Sequence, residues 1–259
     1  MKKEIPFAIA TFIFITLSAI TYVYAVEESK KLITISEDKF DVTGDGKEDI
    51  ITIKGVPYEE GTQFLEEIYL EIKASNGQLY KVELDDGYSP KIQFIDLNHD
   101  GVVDMFISIE TGGSGGITNH HLYTLKDFTL LQLGVPDPLV INGQLQNDYK
   151  ASITIEDTGQ SYTFDLRNRA ADYEKLGLYQ DGMLSEPTEL MIDPYSILKP
   201  IQVNANKQFG LMGIQAISGA YHADRIALVE STWLYEKGKW NLKNTKILEM
   251  KSKKQKKKK

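Results

Sequence analysis

The sequence predicts a mainly β, antiparallel protein, and three observations carry that reading. Apolar residues recur with a period of two, or in short β-branched and aromatic runs, along nearly the whole body; turn signals separate most of the runs; and one stretch alone has helical character. A composition of 42% hydrophobic and 10% aromatic residues gives 259 residues enough apolar surface for one large or two small packed domains.

The first segment stands apart from this pattern. Lys2 and Lys3 precede the charge-free run "IPFAIATFIFITLSAITYVYA", which ends on small residues around Val23 and Ala25, the order of an export signal. A run of about twenty apolar residues also suits a bilayer span. Residues 1–25 are therefore expected to be either a cleaved signal peptide or an N-terminal membrane anchor, with membrane contact only through residues 5–25 if they are retained. In both cases the body is expected to be extracytoplasmic, secreted or anchored at the cell surface. The chain has no cysteine, which excludes a lipoprotein-type anchor and any disulfide.

Strand signals then follow in order. Residues 26–134 contain "EDIITIKG", "LEEIYLEIKA", "QLYKVELDD", "PKIQFIDL", "VVDMFISIE" and "ITNHHLYTLK". Residues 135–250 contain "ASITIED", "SYTFDL", "FGLMGIQAIS", "RIALVESTWLYE" and "KWNLKNTKIL". The seam between the two regions is expected at "LGVPDPLV", because two prolines in three residues do not fit a central strand. Asn76-Gly77 and Asn142-Gly143 suit type I′ hairpin turns, and "DTGQ" and "EKGK" supply glycine for similar reversals. "RAADYEKLG", Arg169 to Gly177, reads as a short helix with a glycine stop. The last three runs read as a three-stranded meander in which Trp233 and Tyr235 face Trp240, an aromatic contact expected to pack the sheet. Residues 251–259, "KSKKQKKKK", read as a disordered polybasic tail.

Charge narrows the partners. Setting aside Lys2, Lys3, Glu4 and the seven lysines of the tail leaves 20 basic and 36 acidic side chains, a net charge of −16 over residues 26–250. An acidic body is not expected to bind nucleic acid, and its self-repulsion opposes a compact state unless cations offset it.

The most specific signal is a repeated nonapeptide. "DVTGDGKED" at 41–49 and "DLNHDGVVD" at 96–104 lie fifty-five residues apart, each just ahead of an apolar run. Side-chain oxygens fall at positions 1, 3, 5 and 9: Asp41, Thr43, Asp45 and Asp49 in the first copy, Asp96, Asn98, Asp100 and Asp104 in the second. Position 7, Lys47 or Val102, can add a backbone carbonyl, and the glycine at position 6, Gly46 or Gly101, lets the chain turn sharply. Oxygen donors converging in this way suit Ca²⁺ better than Mg²⁺, which demands a strict octahedron, or the softer metals, which want thiolate or imidazole. Asn98 is a better donor than Thr43, so the second loop is expected to be the stronger. An EF-hand is ruled out because its position-12 glutamate is replaced by Thr52 and Ile107 and its flanking helices by strands.

The pattern D-x-[D/N/T]-x-D-G-x-x-D leading into an apolar strand resembles the FG-GAP and VCBS repeats. That resemblance covers residues 38 to about 127 and implies antiparallel, blade-like β-units, propeller-like or sandwich-like, with calcium loops between their strands. A degenerate third copy, "QVNANKQFG", keeps Asn204 and Asn206 at positions 3 and 5 but has Gln202 and Gly210 where carboxylates are needed.

Two other functions compete. Gly112-Gly113-Ser114-Gly115-Gly116 satisfies G-x-S-x-G, with His120, His121 and His222 available as bases, but a strand-like segment follows where a nucleophile elbow needs a helix. The adjacent His120 and His121 point to opposite faces of a strand, one expected to be packed and the other exposed. A carbohydrate-binding module built on the C-terminal aromatics is the other alternative. The expected function is that of a non-enzymatic, calcium-binding surface or secreted module, its calcium structural, whose partner is a cell-surface protein or polysaccharide.

Overall fold

The computed structural model describes residues 31–113, 116–203 and 208–250. Residues 1–30, Ser114, Asn204 and Asn206 of the degenerate copy, and the lysine tail lie outside the described residues. From Leu32 onward the chain forms one compact unit.

β1 (Ile33–Phe40) and β2 (Asp49–Pro57) make a hairpin closed by the first acidic loop, and β3 (Phe64–Lys73) and β4 (Leu79–Leu84) extend it as an antiparallel meander. β5 (Gly87–Ile95), β6 (Asp104–Glu110), β7 (Thr118–Thr124) and the short β8 (Leu131–Gln132) repeat this order, with the second acidic loop between β5 and β6. A brief pairing, Phe64 with Tyr88 and Leu65 with Gly87, joins the two meanders into one eight-stranded sheet. The sequence repeat is therefore also a repeat of the fold. Phe40 pairs with Asp49 and Ile95 with Asp104, so each loop leaves and re-enters its hairpin at the same register.

Alternation along β6 explains its consecutive apolar residues Met105, Phe106 and Ile107. Met105, Ile107 and Ile109 join a core with Ile51, Ile53, Leu70 and Ile72 of the first meander. Phe106, from the opposite face, joins a second core with Leu97, Leu122, Ile153, Phe164, Leu211 and Val229. A strand buried on both faces reads as continuous rather than alternating hydrophobicity. Each fully buried aliphatic side chain of this kind stabilises the fold by about 1.5–3 kcal/mol. β1 is the opposite case: an edge strand, largely exposed and carrying Glu37, Asp38 and Lys39, whose charge masked it in the sequence.

The second core crosses "LGVPDPLV", which is irregular throughout residues 133–140, so the seam interrupts the strands but not the packing. Beyond it, β9 (Ile141–Gln146), β10 (Lys150–Ile155) and β11 (Gln160–Asp165) form a three-stranded sheet. A short helix, α1 (Ala170–Lys175), follows a single 3₁₀ turn and ends where expected: Gly177 has φ of +75°, and Leu178 N–H donates to Tyr173 O at 3.0 Å in a Schellman cap. β12 (Tyr179–Gln180) and β13 (Met183–Leu184) make a small hairpin, and β14 (Met191–Gln202), β15 (Phe209–Ser218), β16 (Arg225–Glu236) and β17 (Lys239–Glu249) close the chain.

Three local expectations are corrected. The C-terminal meander has four strands, because β14 tolerates Pro194 and Pro200 at the sheet edge, where a missing N–H breaks no ladder. Asn142-Gly143 lies inside β9 rather than in a turn; a Cβ on Gly143 would stand 3.0 Å from Leu190 Cδ1 and 3.1 Å from Ile153 Cγ2, so glycine is there for close packing. At Asn76-Gly77 only the glycine has positive φ, and Gly77 N–H donates to Ala74 O at 2.8 Å, a type I turn with a glycine bulge. Two-residue turns with positive φ at both central residues, as type I′ requires, are found at Asp181-Gly182, +52° and +81°, and within the expected "EKGK" reversal at Lys237-Gly238, +55° and +79°.

Candidate functional site

In each acidic loop the carboxylates are turned inward onto backbone amides. Asp41 accepts from Gly44 N at 2.7 Å through Oδ1 and from Gly46 N at 2.8 Å through Oδ2. Asp96 does the same with Asp100 N at 3.1 Å and Gly101 N at 3.0 Å. At position 5, Asp45 Oδ1 accepts from Lys47 N at 2.9 Å and Asp100 Oδ1 from Val102 N at 3.0 Å. Gly46 and Gly101, at φ of +83° and +87°, make these returns without the strain that another residue would meet.

Position 9 closes the loop from its base. Asp49 Oδ2 accepts from Val42 N and Thr43 N at 2.9 and 3.1 Å, and Asp104 Oδ2 from Leu97 N and Asn98 N at 2.8 and 3.0 Å. Both side chains are fully buried. Their second oxygens differ. Asp49 Oδ1 accepts from Ser75 N at 2.8 Å, whereas Asp104 Oδ1 has no hydrogen-bond partner among the described residues. The Thr124 hydroxyl lies close to Asp104 without completing a bond to it. Burial raises the Asp104 carboxyl to about 6, against the lowering effect of its two amide bonds.

Position 3 touches its neighbours in both loops: Thr43 Oγ1 donates to Asp41 Oδ1 at 3.4 Å, and Asn98 Nδ2 to Asp100 Oδ2 at 3.1 Å. The two loops also meet one another, since a Cβ on Gly44 would stand 2.7 Å from Val102 Cγ2. The fold thus gathers all ten expected donors, Asp41, Thr43, Asp45, Lys47, Asp49, Asp96, Asn98, Asp100, Val102 and Asp104, into one pair of adjoining loops. No three His, Cys, Asp or Glu side chains among the described residues form a ready-made metal centre. The donor sets are mixed, with carboxylates beside a hydroxyl or amide and no thiolate or imidazole, which is the chemistry of a hard cation.

Residues not anticipated from the sequence complete the site. Ser75, in the β3–β4 turn, donates its hydroxyl to Asp45 Oδ2 at 2.7 Å, the main reason that the Asp45 carboxyl is held below its ordinary range. Lys126 Nζ donates to Asp100 O at 2.5 Å and lies 3.7 Å from Asp100 Oδ1. The next residue, Asp127, donates its N–H to Thr43 O at 3.0 Å, so one short turn touches both loops. His99 is no ligand: its ring nitrogens face Phe209 O at 2.8 Å and Tyr235 O at 3.2 Å, fastening the second loop to the C-terminal meander.

The competing groups are dispersed. β7 follows the glycine-rich reversal, a strand where a nucleophile elbow needs a helix. His120 stacks on Phe106 and reaches Ser108 Oγ at 3.0 Å, while His121 lies 3.1 Å from Asp85 Oδ2. They face opposite sides, as expected, but both are partly buried, correcting the expectation that one would be exposed. His222 lies apart from them, 3.2 Å from Asp193 Oδ1. Tyr235 meets Trp240 edge-on at 5.3 Å, and Trp233 is buried in the second core.

Fold and site together define an antiparallel β-protein with a repeated pair of acidic hairpin loops. Comparison with known proteins finds a matching family model, the YybI C-terminal domain, over residues 139–248. The uncharacterized protein YybI of Bacillus subtilis (strain 168) is 28% identical over 229 residues, covering 85% of this chain and 84% of the relative. No solved structure matches.

Proposed function

We propose that this chain is an exported calcium-binding β-protein, a secreted or cell-surface binding or structural module in which Ca²⁺ is structural. The observation that carries the reading is one loop geometry set at one register in two hairpins, with the fully buried Asp104 Oδ1 left for a cation in the second. Asp41, Thr43, Asp45 and Asp49 with the Lys47 carbonyl would hold one ion, and Asp96, Asn98, Asp100 and Asp104 with the Val102 carbonyl the other. The likeness of the loops to FG-GAP and VCBS repeats, and the two successive meanders read as blade-like units, support the same conclusion. Calcium would tie the hairpins together and neutralise part of the net −16 charge of residues 26–250, a service that disulfides cannot give a chain without cysteine. Hairpin loops of this kind suit the weaker affinities, about 10⁻⁴–10⁻³ M, of extracellular calcium modules. Residues 1–25 support export, and the partner would be a cell-surface protein or polysaccharide. Calorimetric titration with calcium tests the assignment: two ions per chain are expected, and none in the Asp45→Ala/Asp100→Ala double variant, whereas equal stoichiometry in the two proteins would remove the loops from consideration.

A further inference from the structure

Resting on that reading, the geometry points to Lys126 as a built-in competitor of the second loop, a tethered positive charge that lowers its affinity for calcium below what its donors alone would give. The acidic cluster alone would not place a cation here; the second observation is the buried Asp104, whose Oδ2 is held at the loop by the amides of Leu97 and Asn98 while its Oδ1, near the Thr124 hydroxyl, has no hydrogen-bond partner among the described residues. Beside this loop stands the Lys126 ammonium, bonded to Asp100 O at 2.5 Å and 3.7 Å from Asp100 Oδ1. Among the described residues the first loop has no equivalent: its own lysine, Lys47, approaches Asp45 Oδ2 only to 3.8 Å and is largely exposed, where solvent screens it.

The position of Lys126 is fixed by the fold. Asp127 N–H is bonded to Thr43 O, and the Phe128 carbonyl accepts from Tyr80 OH at 2.7 Å, so the turn that carries Lys126 is held from both sides. The ammonium is thus presented to Asp100 from a held backbone and is bonded to its carbonyl, with its side chain 39% exposed against 73% for Lys47. A fixed single charge about 6 Å from a divalent ion, in surroundings close to water, weakens its binding roughly tenfold. Asn98 makes the second loop the better donor set, and Lys126 offsets that advantage.

The test uses the full chain with the first loop disabled by Asp45→Ala, so that calorimetry reads the second loop alone. At low ionic strength, adding Lys126→Met should tighten calcium binding roughly tenfold, adding Lys126→Arg should leave it near the Asp45→Ala value, and the gap should narrow in high salt as screening grows. Unchanged or weaker binding in the Lys126→Met protein would overturn the proposal while leaving the calcium reading intact. Failure of every protein, including the parent chain, to take up calcium would overturn both.

Discussion

Gly44 of the first loop lies against Val102 of the second, so closely that a Cβ on the glycine would stand 2.7 Å from Val102 Cγ2. Gly44 also has φ of +78°, and Gly46, two residues on, has φ of +83° with open space around its Cβ position. Gly44→Ala should therefore lose the conformational term of about 1–2 kcal/mol and the loop contact as well, and Gly46→Ala only the former. Urea unfolding of the two variants separates these terms. Equal losses would mean that the loops do not brace one another.

Asp104 makes a second prediction. In calcium-free protein its buried carboxyl is raised to about 6, so its charge opposes folding above that pH and ceases to do so as pH falls through 6 toward 3.8. Asp104→Asn keeps an oxygen for the Leu97 and Asn98 amides and should stabilise the chelated protein at pH 8 by about 1–3 kcal/mol. The same variant should forfeit the gain from calcium at the second loop. Denaturant midpoints in chelator and in calcium read both effects, and a chelated variant weaker than the parent would contradict the account.

His120 gives a pH dependence of the other sign. Burial, then the neighbouring His121, lowers its imidazole to about 4, so the folded state holds it neutral while the unfolded chain takes up a proton near 6.5. This contribution to stability is complete above about 6.5 and is lost as pH falls toward 4. His120→Phe, which keeps the stack on Phe106, should flatten the decline between those limits in unfolding midpoints measured with the parent protein. An unchanged slope would assign the decline to other groups.

A buried ion pair anchors α1 to the C-terminal meander. Arg169 pairs with Asp224, Tyr173 OH donates to Asp224 Oδ2 at 2.6 Å, and Arg169 Nη2 donates to Arg225 O at 2.7 Å. Asp224→Ala leaves the guanidinium buried and unpaired and should cost about 3–5 kcal/mol, against about 1 kcal/mol for Tyr173→Phe, in chemical unfolding.

Much of this was legible in the sequence because its signals are local. Oxygens at alternate positions with a glycine between them mark the loops, the period of two marks β3, β4 and β5, and a glycine stop marks the end of α1. What was hidden depends on partners far along the chain. Ser75 and Lys126 reach the loops from 30 and 26 residues away, and nothing near them suggests an acidic neighbour. β14 was hidden by prolines that only a sheet edge tolerates, β1 by its charges, and Gly143 by a role in packing that imitates a turn. That the two copies touch goes with the packing of the two meanders on a shared core, which no spacing encodes.

The central claim is that calcium stabilises the folded loops, and thermal unfolding in excess calcium and in excess chelator tests it most directly. Linkage raises stability by RT ln(1 + [Ca²⁺]/Kd), about 2.7 kcal/mol per site at a hundredfold excess over Kd. The melting temperature should climb with calcium, fall with chelator, and respond much less to magnesium at the same concentration. Superimposed melts in calcium and in chelator would mean that the two acidic loops are turns and nothing more.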